Sequence, residues 1–185
     1  MTDTDAPRLA WAVTGSGHYL RECMDLIKAY GRVDLFLSAA AAEVLTMYGY
    51  PPDSLRRDLR VFRDNTASAV PVGLFYTGRY HTLVIAPATS NTVAKCALGI
   101  SDTLVTNIFA QAGKCRIPSI VFACDTVPEL QSEAPRGMVT VYPRRIDLEH
   151  VERLSAFEDT LVVSGVEQLR QALEIPPACL SASCS

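Results

Sequence analysis

The stretch HTLVIAPATSNTVAKCALGISDTLVTN, His81 to Asn107, decides the fold. Thr82 to Ala86 is a short run of β-branched and aliphatic residues that stops at Pro87, the pattern of a buried parallel strand delivering the chain to a functional edge. Pro87-Ala88-Thr89-Ser90-Asn91-Thr92 then sets three hydroxyls and one amide in four consecutive positions, ahead of the helix-forming segment Val93 to Leu98. The unpaired N–H groups of a helix start, joined by hydroxyl donors, can bind an anion or a planar polar heterocycle without net positive charge. A plain N-cap needs only one Ser, Thr or Asn, so capping alone leaves most of this polar cluster for a ligand. Gly99 interrupts the helix, and Ser101-Asp102 can cap a second one running through Leu104, Ile108 and Ala112 to a stop at Gly113.

Upstream, Leu9 to Val13 reads as a first strand, followed by Thr14-Gly15-Ser16-Gly17 and a helix from about His18 to Tyr30 with Leu20, Cys23, Met24 and Ile27 on one face. Strand, Gly-rich turn and helix form a phosphate-binding arrangement, in which Ser16 adds a donor. No Gly-Lys pair makes it a P-loop, and Leu20 stands where a dinucleotide fingerprint needs its third glycine. The second strand, Val33 to Leu37, ends in Ser38 rather than in an acidic residue that would hold a ribose, which favours a mononucleotide; the plain alternative for Ser38 is the cap of a helix over Ala39 to Tyr48. Residues 51–68 read as an exposed, charged excursion with a short strand at Arg60-Val61-Phe62. Val70 to Tyr80 reads as a short helix or irregular strand whose aromatics are expected in the core, with the alternative that one of them flanks a bound ring.

Downstream, Ile117 to Ala123 is a further buried strand leading into Cys124-Asp125-Thr126. Val127 to Met138 reads as a flexible loop beside the site. Val139 to Tyr142 reads as a late strand, Asp147 caps a helix, Thr160 to Val163 is a last strand and Val166 to Leu173 a last helix. The expected organisation is one domain over residues 1–175 and a disordered tail over 176–185, which lacks a packing pattern.

At 185 residues, one domain can bury about 70% of the surface its unfolded chain exposes, so no staple is needed. A net charge of −3 gives no electrostatic case for nucleic acid or an anionic membrane, and the absence of a long apolar run or leader makes the cytoplasm the expected location. The six cysteines lack C-x-x-C spacing and read as buried thiols and tail residues, and the three histidines are too dispersed for a metal site. Alternating strands and amphipathic helices predict a three-layer α/β fold on a mostly parallel sheet. Its carboxyl edge would gather Gly15, Ser16, Gly17, Ser38, Thr89, Ser90, Asn91, Thr92, Cys124 and Asp125 in one crevice.

Three motifs, Thr14-Gly15-Ser16, Pro87 to Thr92 and Gly99-Ile100-Ser101-Asp102-Thr103-Leu104, resemble the homo-oligomeric flavin-containing cysteine decarboxylase superfamily, over roughly residues 9 to 126. That family reads Pro-Ala-Ser-Ala-Asn-Thr at the second motif and Gly-Ile-Ala-Asp-Asn-Leu at the third, and binds FMN in a Rossmann-like, flavodoxin-like fold. The resemblance implies that Gly15, Ser16 and Ser38 hold the FMN phosphate, with Gly17 allowing close approach. It places Thr89, Ser90, Asn91 and Thr92 at the ribityl chain and ring edge, and Cys124 beside the flavin. It also implies a trimer-based homo-oligomer with the flavin at a subunit interface, where Ser101 and Asp102 act on a neighbour's cofactor.

The decarboxylase branches carry a histidine after the second strand and a Pro-x-Met-Asn motif after the fifth. Here Ala39 to Glu43 and Ala123 to Pro128 contain neither. Leu74 to Tyr80, Thr92 to Lys95, Thr103 to Asn107 and Arg145 to Leu148 are more similar to the dihydromethanopterin reductase (acceptor) and archaeoflavoprotein branch. That likeness implies an FMN-dependent oxidoreductase that reduces dihydromethanopterin or a related dihydropterin. With no ferredoxin-like cysteine cluster in the chain, its electrons come from a separate donor, a ferredoxin-like protein or a reduced nicotinamide. The alternatives left open are a non-catalytic electron-transfer flavoprotein and a flavin-dependent decarboxylase or prenyltransferase.

Overall fold

A computed structural model describes residues 6–65, 69–134 and 136–180. In order, these form β1 (Arg8–Val13), α1 (Leu20–Tyr30), β2 (Val33–Leu37), α2 (Ala39–Met47), α3 (Pro52–Leu55), β3 (Arg60–Arg63) and α4 (Ala69–Gly73). After a 3₁₀ turn at Leu74–Thr77 come β4 (Tyr80–Ala88), α5 (Ser90–Leu98), α6 (Leu104–Lys114), β5 (Ser119–Ala123), β6 (Leu130–Ala134) and β7 (Gly137–Val141). The chain closes with α7 (Arg145–Ser155), β8 (Thr160–Val163), α8 (Val166–Glu174) and α9 (Pro177–Leu180).

Six strands make one parallel sheet in the order β3-β2-β1-β4-β5-β8 with helices on both faces, the expected three-layer flavodoxin-like architecture. Side chains alternate along each strand. Trp11, Leu35, Val84 and Ile120 therefore pack with α1, α2 and α8 on one face, while Ala10, Phe36, Leu83 and Val121 pack with α5, α6 and α7 on the other. Trp11 satisfies its one polar atom by donating Nε1–H to the Ala86 carbonyl at 2.8 Å. The carboxylate of Asp34, fully buried on β2 at the amino-terminal edge, accepts from Arg8 Nε at 2.7 Å, Arg79 Nε at 2.9 Å and Tyr80 Oη at 2.9 Å.

Several local expectations give way to the packing. β4 does not stop at Pro87 but runs to Ala88, because its register against β5 slips by one residue between Ile85 and Ala88, where a residue without an N–H costs no ladder bond. α5 starts at Ser90, so Ser90, Asn91 and Thr92 form its first turn rather than a loop, and Thr89 is its cap. The cap of α6 is Thr103, in a reciprocal capping box with Thr106, and not Ser101-Asp102. Asp147 lies inside the first turn of α7, its carboxylate accepting the Arg144 N–H at 2.9 Å.

Within the expected flexible loop at Val127 to Met138, Leu130–Ala134 is a strand, β6, that pairs antiparallel with β7, Gly137–Val141, in a hairpin apart from the main sheet; residue 135 lies outside the described residues. Hairpin pairing satisfies their backbone groups locally. Of the expected tail, Pro177–Leu180 is a helical turn, and Leu180 packs against the core; residues 181–185 lie outside the described residues.

Candidate functional site

Strand exits at the carboxyl edge are fastened to one another by backbone hydrogen bonds that prolong the ladders: Ser38 N–H to Val13 O at 3.1 Å, Asp64 N–H to Leu37 O at 2.9 Å, and Cys124 N–H to Ala88 O at 3.0 Å. Buried Thr14 completes this edge by donating Oγ1–H to the Pro87 carbonyl at 2.8 Å and accepting from Thr89 N–H at 2.9 Å. The β1 and β4 exits are thereby held side by side.

A cleft of about 320 Å³ opens there. Thr14 and Gly15 come from the β1 exit, Ser38, Ala39 and Ala40 from the start of α2, and Asp64 from the β3 exit. Thr89, Asn91, Thr92 and Lys95 come from α5 and its cap, and Thr103 from the start of α6. Three helix starts thus border one cavity. In each, the capping oxygen accepts a backbone N–H: Ser38 from Ala41 at 3.0 Å, Thr89 from Thr92 at 3.4 Å and Thr103 from Thr106 at 3.2 Å. The remaining N–H groups and the positive ends of three helix dipoles suit an anion.

A second polar group lies at the β4 and β5 exits. Ser90 Oγ donates to Asp125, and the Cys124 thiol donates to Ser16 Oγ at 3.3 Å, which also accepts the His18 N–H at 3.2 Å. Burial pushes the Cys124 thiol up to about 12, so it stays protonated at neutral pH. Burial lowers the His18 pKa, with Asp125 opposing that shift.

Gly15, Ser38, Thr89, Asn91 and Thr92 meet in the cleft, and Ser16, Ser90 and Cys124 meet in the second group. Ser101 and Asp102 fall outside the cleft. Ser101 borders a different cavity of about 220 Å³ near Phe109 and Phe157, and Asp102 pairs with Lys95. The glycines of the first turn give close approach to protein: a Cβ on Gly15 would stand 2.6 Å from Ala40 Cβ, and one on Gly17 would overlap Tyr48 Oη. Sequence reasoning missed the bridging role of Thr14 and the place of Asp64, Lys95 and Thr103 in the cleft. Lys95 was detectable by spacing, since it stands four residues after Asn91 and three after Thr92 on one helix face. Thr103 was detectable by its capping-box spacing to Thr106. No helix among the described residues is long and apolar enough to cross a membrane.

The uncharacterized protein MJ0730 of Methanocaldococcus jannaschii is 35% identical to this chain over 175 residues, covering 90% of this chain and 94% of that one. The dihydromethanopterin reductase (acceptor) of Methanosarcina mazei is 38% identical over 141 residues; the match covers 69% of this chain and only 59% of that protein. The crystal structure of Burkholderia xenovorans DmrB in complex with FMN, described as a cubic protein cage for redox transfer, is 58% identical with a TM-score of 0.84, covering 91% of this chain and 94% of that one. The Flavoprotein family model matches residues 1–181. With that match along nearly its whole length, the chain belongs to the Flavoprotein family.

Proposed function

We propose that this protein is an FMN-dependent oxidoreductase of the cytoplasm that reduces dihydromethanopterin, or a related dihydropterin, to the tetrahydro form. Its electrons come from a separate ferredoxin-like protein or reduced nicotinamide. The observation that carries the reading is the cleft, where three capped helix starts converge on one cavity. Such a donor set fits the phosphate and polar edges of FMN. Likeness to a reductase named for the pterin and to an FMN-binding cage for redox transfer supports the same reading.

On this reading residues 1–175 are one FMN-binding domain. Gly15, Ser16 and Ser38 hold the phosphate, with Gly17 letting the turn close tightly. Thr89, Ser90, Asn91 and Thr92 fix the ribityl chain and ring edge, and Cys124 presents a neutral thiol beside the ring. When bound, the isoalloxazine supplies the hydride or electron transfer. The chain itself fixes orientation: the Thr14 bridge sets the spacing of the β1 and β4 exits, and the α5 cap aims Asn91 and Thr92 at the cavity.

Subunits assemble in trimers, with the flavin at their interface and Ser101 and Asp102 reaching a neighbour's cofactor. The exposed Leu98, Ile100 and Phe157, near Ser101, support an interface on that side. Steady-state turnover tests the function. With FMN and a reductant supplied, tetrahydropterin should accumulate in proportion to enzyme; a protein acceptor reduced in its place, with no dihydropterin consumed, favours an electron carrier.

A further inference from the structure

We propose that Lys95 is the cation that binds the phosphate monoester in the cleft, and that Asp102 holds its ammonium ready until the phosphate competes for it. This rests on the FMN reading above and adds to it a residue and a competing partner. Among the described residues whose side chains line the cleft, only Asp64 and Lys95 carry formal charge. α2 contributes Ser38 and two alanines there, α6 contributes Thr103, and the β1 exit contributes Thr14 and Gly15. Without the ammonium, a phosphate dianion would therefore face an uncompensated carboxylate, and the helix dipoles alone would have to offset both. Lys95 supplies the missing charge from the wall that also carries Asn91 and Thr92.

The local fold explains how its ammonium is kept at hand. Gly99, at φ 73°, ends α5 in a left-handed turn, and Ile100 N–H donates back to Lys95 O at 2.8 Å. The chain so reversed brings Asp102 beside the lysine, where both carboxylate oxygens accept from Nζ at 2.8 Å. Asp102 is 55% exposed, whereas Lys95 is 23% exposed. An ion pair with one member largely in water is weakly held, and an ammonium on a flexible stem with three donors can turn to a second anion or share itself between two. A doubly charged phosphate seated among helix starts is the stronger competitor.

A structural staple and a phosphate cation make opposite demands on the pair. Affinity for FMN and for riboflavin, which lacks the phosphate, is measured on wild type, Lys95→Met, Lys95→Arg and Asp102→Asn, with apo-protein melting alongside to confirm folding. Lys95→Met should weaken FMN binding roughly tenfold or more while riboflavin binding stays put, since a hydrogen bond to a charged group is lost only for the phosphate ligand. Lys95→Arg should stay close to wild type. Asp102→Asn, which keeps a polar group able to reach a neighbour's cofactor but removes the charge that competes for the ammonium, should strengthen FMN binding severalfold.

A fall in FMN affinity for Asp102→Asn as well as Lys95→Met, equal changes for both ligands, or wild-type FMN affinity in Lys95→Met would each overturn the proposal. Wild-type protein that binds riboflavin and FMN equally also overturns it, and leaves the flavin reading standing. Protein that binds neither overturns the flavin reading, and this proposal with it.

Discussion

At the scale of single residues, the structure separates capping from ligand binding at the start of α5. Thr89 is the cap, so the exposed amide of Asn91, one residue into the helix, is not needed for that task. Asn91→Ala should leave apo-protein melting nearly unchanged. It should weaken both FMN and riboflavin by ~1–3 kcal/mol, a loss of roughly ten- to a hundredfold or somewhat more, because the flavin ring common to them loses a partner. Calorimetric titration of the two ligands checks this, and a drop in melting with unchanged affinity would return Asn91 to a structural role. The polar identity of residues 89–92 was legible in the sequence; the division of labour among them was not, because it depends on where the helix begins. That start follows Thr89, whose hydroxyl accepts the Thr92 N–H, directly after a strand carried on to Ala88 past a one-residue slip against β5 that no local pattern announces. Thr14 was visible in the first turn, but its bridging role was not, since its partners Pro87 and Thr89 lie more than seventy residues away.

At the scale of elements, the β1–α1 turn and the start of α2 fit together only because Gly15 has no Cβ. Gly15→Ala should push α2 and Ser38 away from the cleft floor, lowering both stability and FMN affinity, and Ala40→Gly in the same chain should restore much of each. A double-mutant cycle measures that coupling; additive losses with no rescue would contradict it. At the opposite edge, Tyr80 fastens β4 to Asp34 of β2. Burial first, then the Asp34 carboxylate, raises the Tyr80 phenol above its ordinary value of 10.0. The folded state thus holds this proton more tightly than the unfolded chain, so the contribution is complete below that ordinary value and is lost as pH rises beyond it. Tyr80→Phe should cost ~1.5–3 kcal/mol near neutrality and show a smaller loss of stability than wild type as pH rises above about 10 in urea unfolding. An unchanged alkaline loss would place its origin elsewhere.

At the scale of the molecule, strand and helix alternation made the parallel sheet legible, since each buried strand carries its own apolar run and each helix its own face. Of the β6–β7 hairpin only the second strand was legible, as the run Val139 to Tyr142; β6 (Leu130–Ala134) is largely polar and half exposed, and pairs with the mostly exposed β7 instead of burying an apolar face. The buried Asp34 sat unnoticed within an apolar strand because its arginine partners come from two other places in the chain. The edge that gathers the site follows from topology, and the chemistry assigned to it rests on what the cleft holds and what it passes electrons to. The most direct measurement is an anaerobic single turnover: protein loaded with FMN is reduced to the endpoint, freed of reductant and mixed with dihydromethanopterin. Return of the oxidised flavin spectrum with one tetrahydro product per flavin is the expected result. Flavin that stays reduced with the dihydropterin yet is promptly reoxidised by ferricyanide would contradict the account.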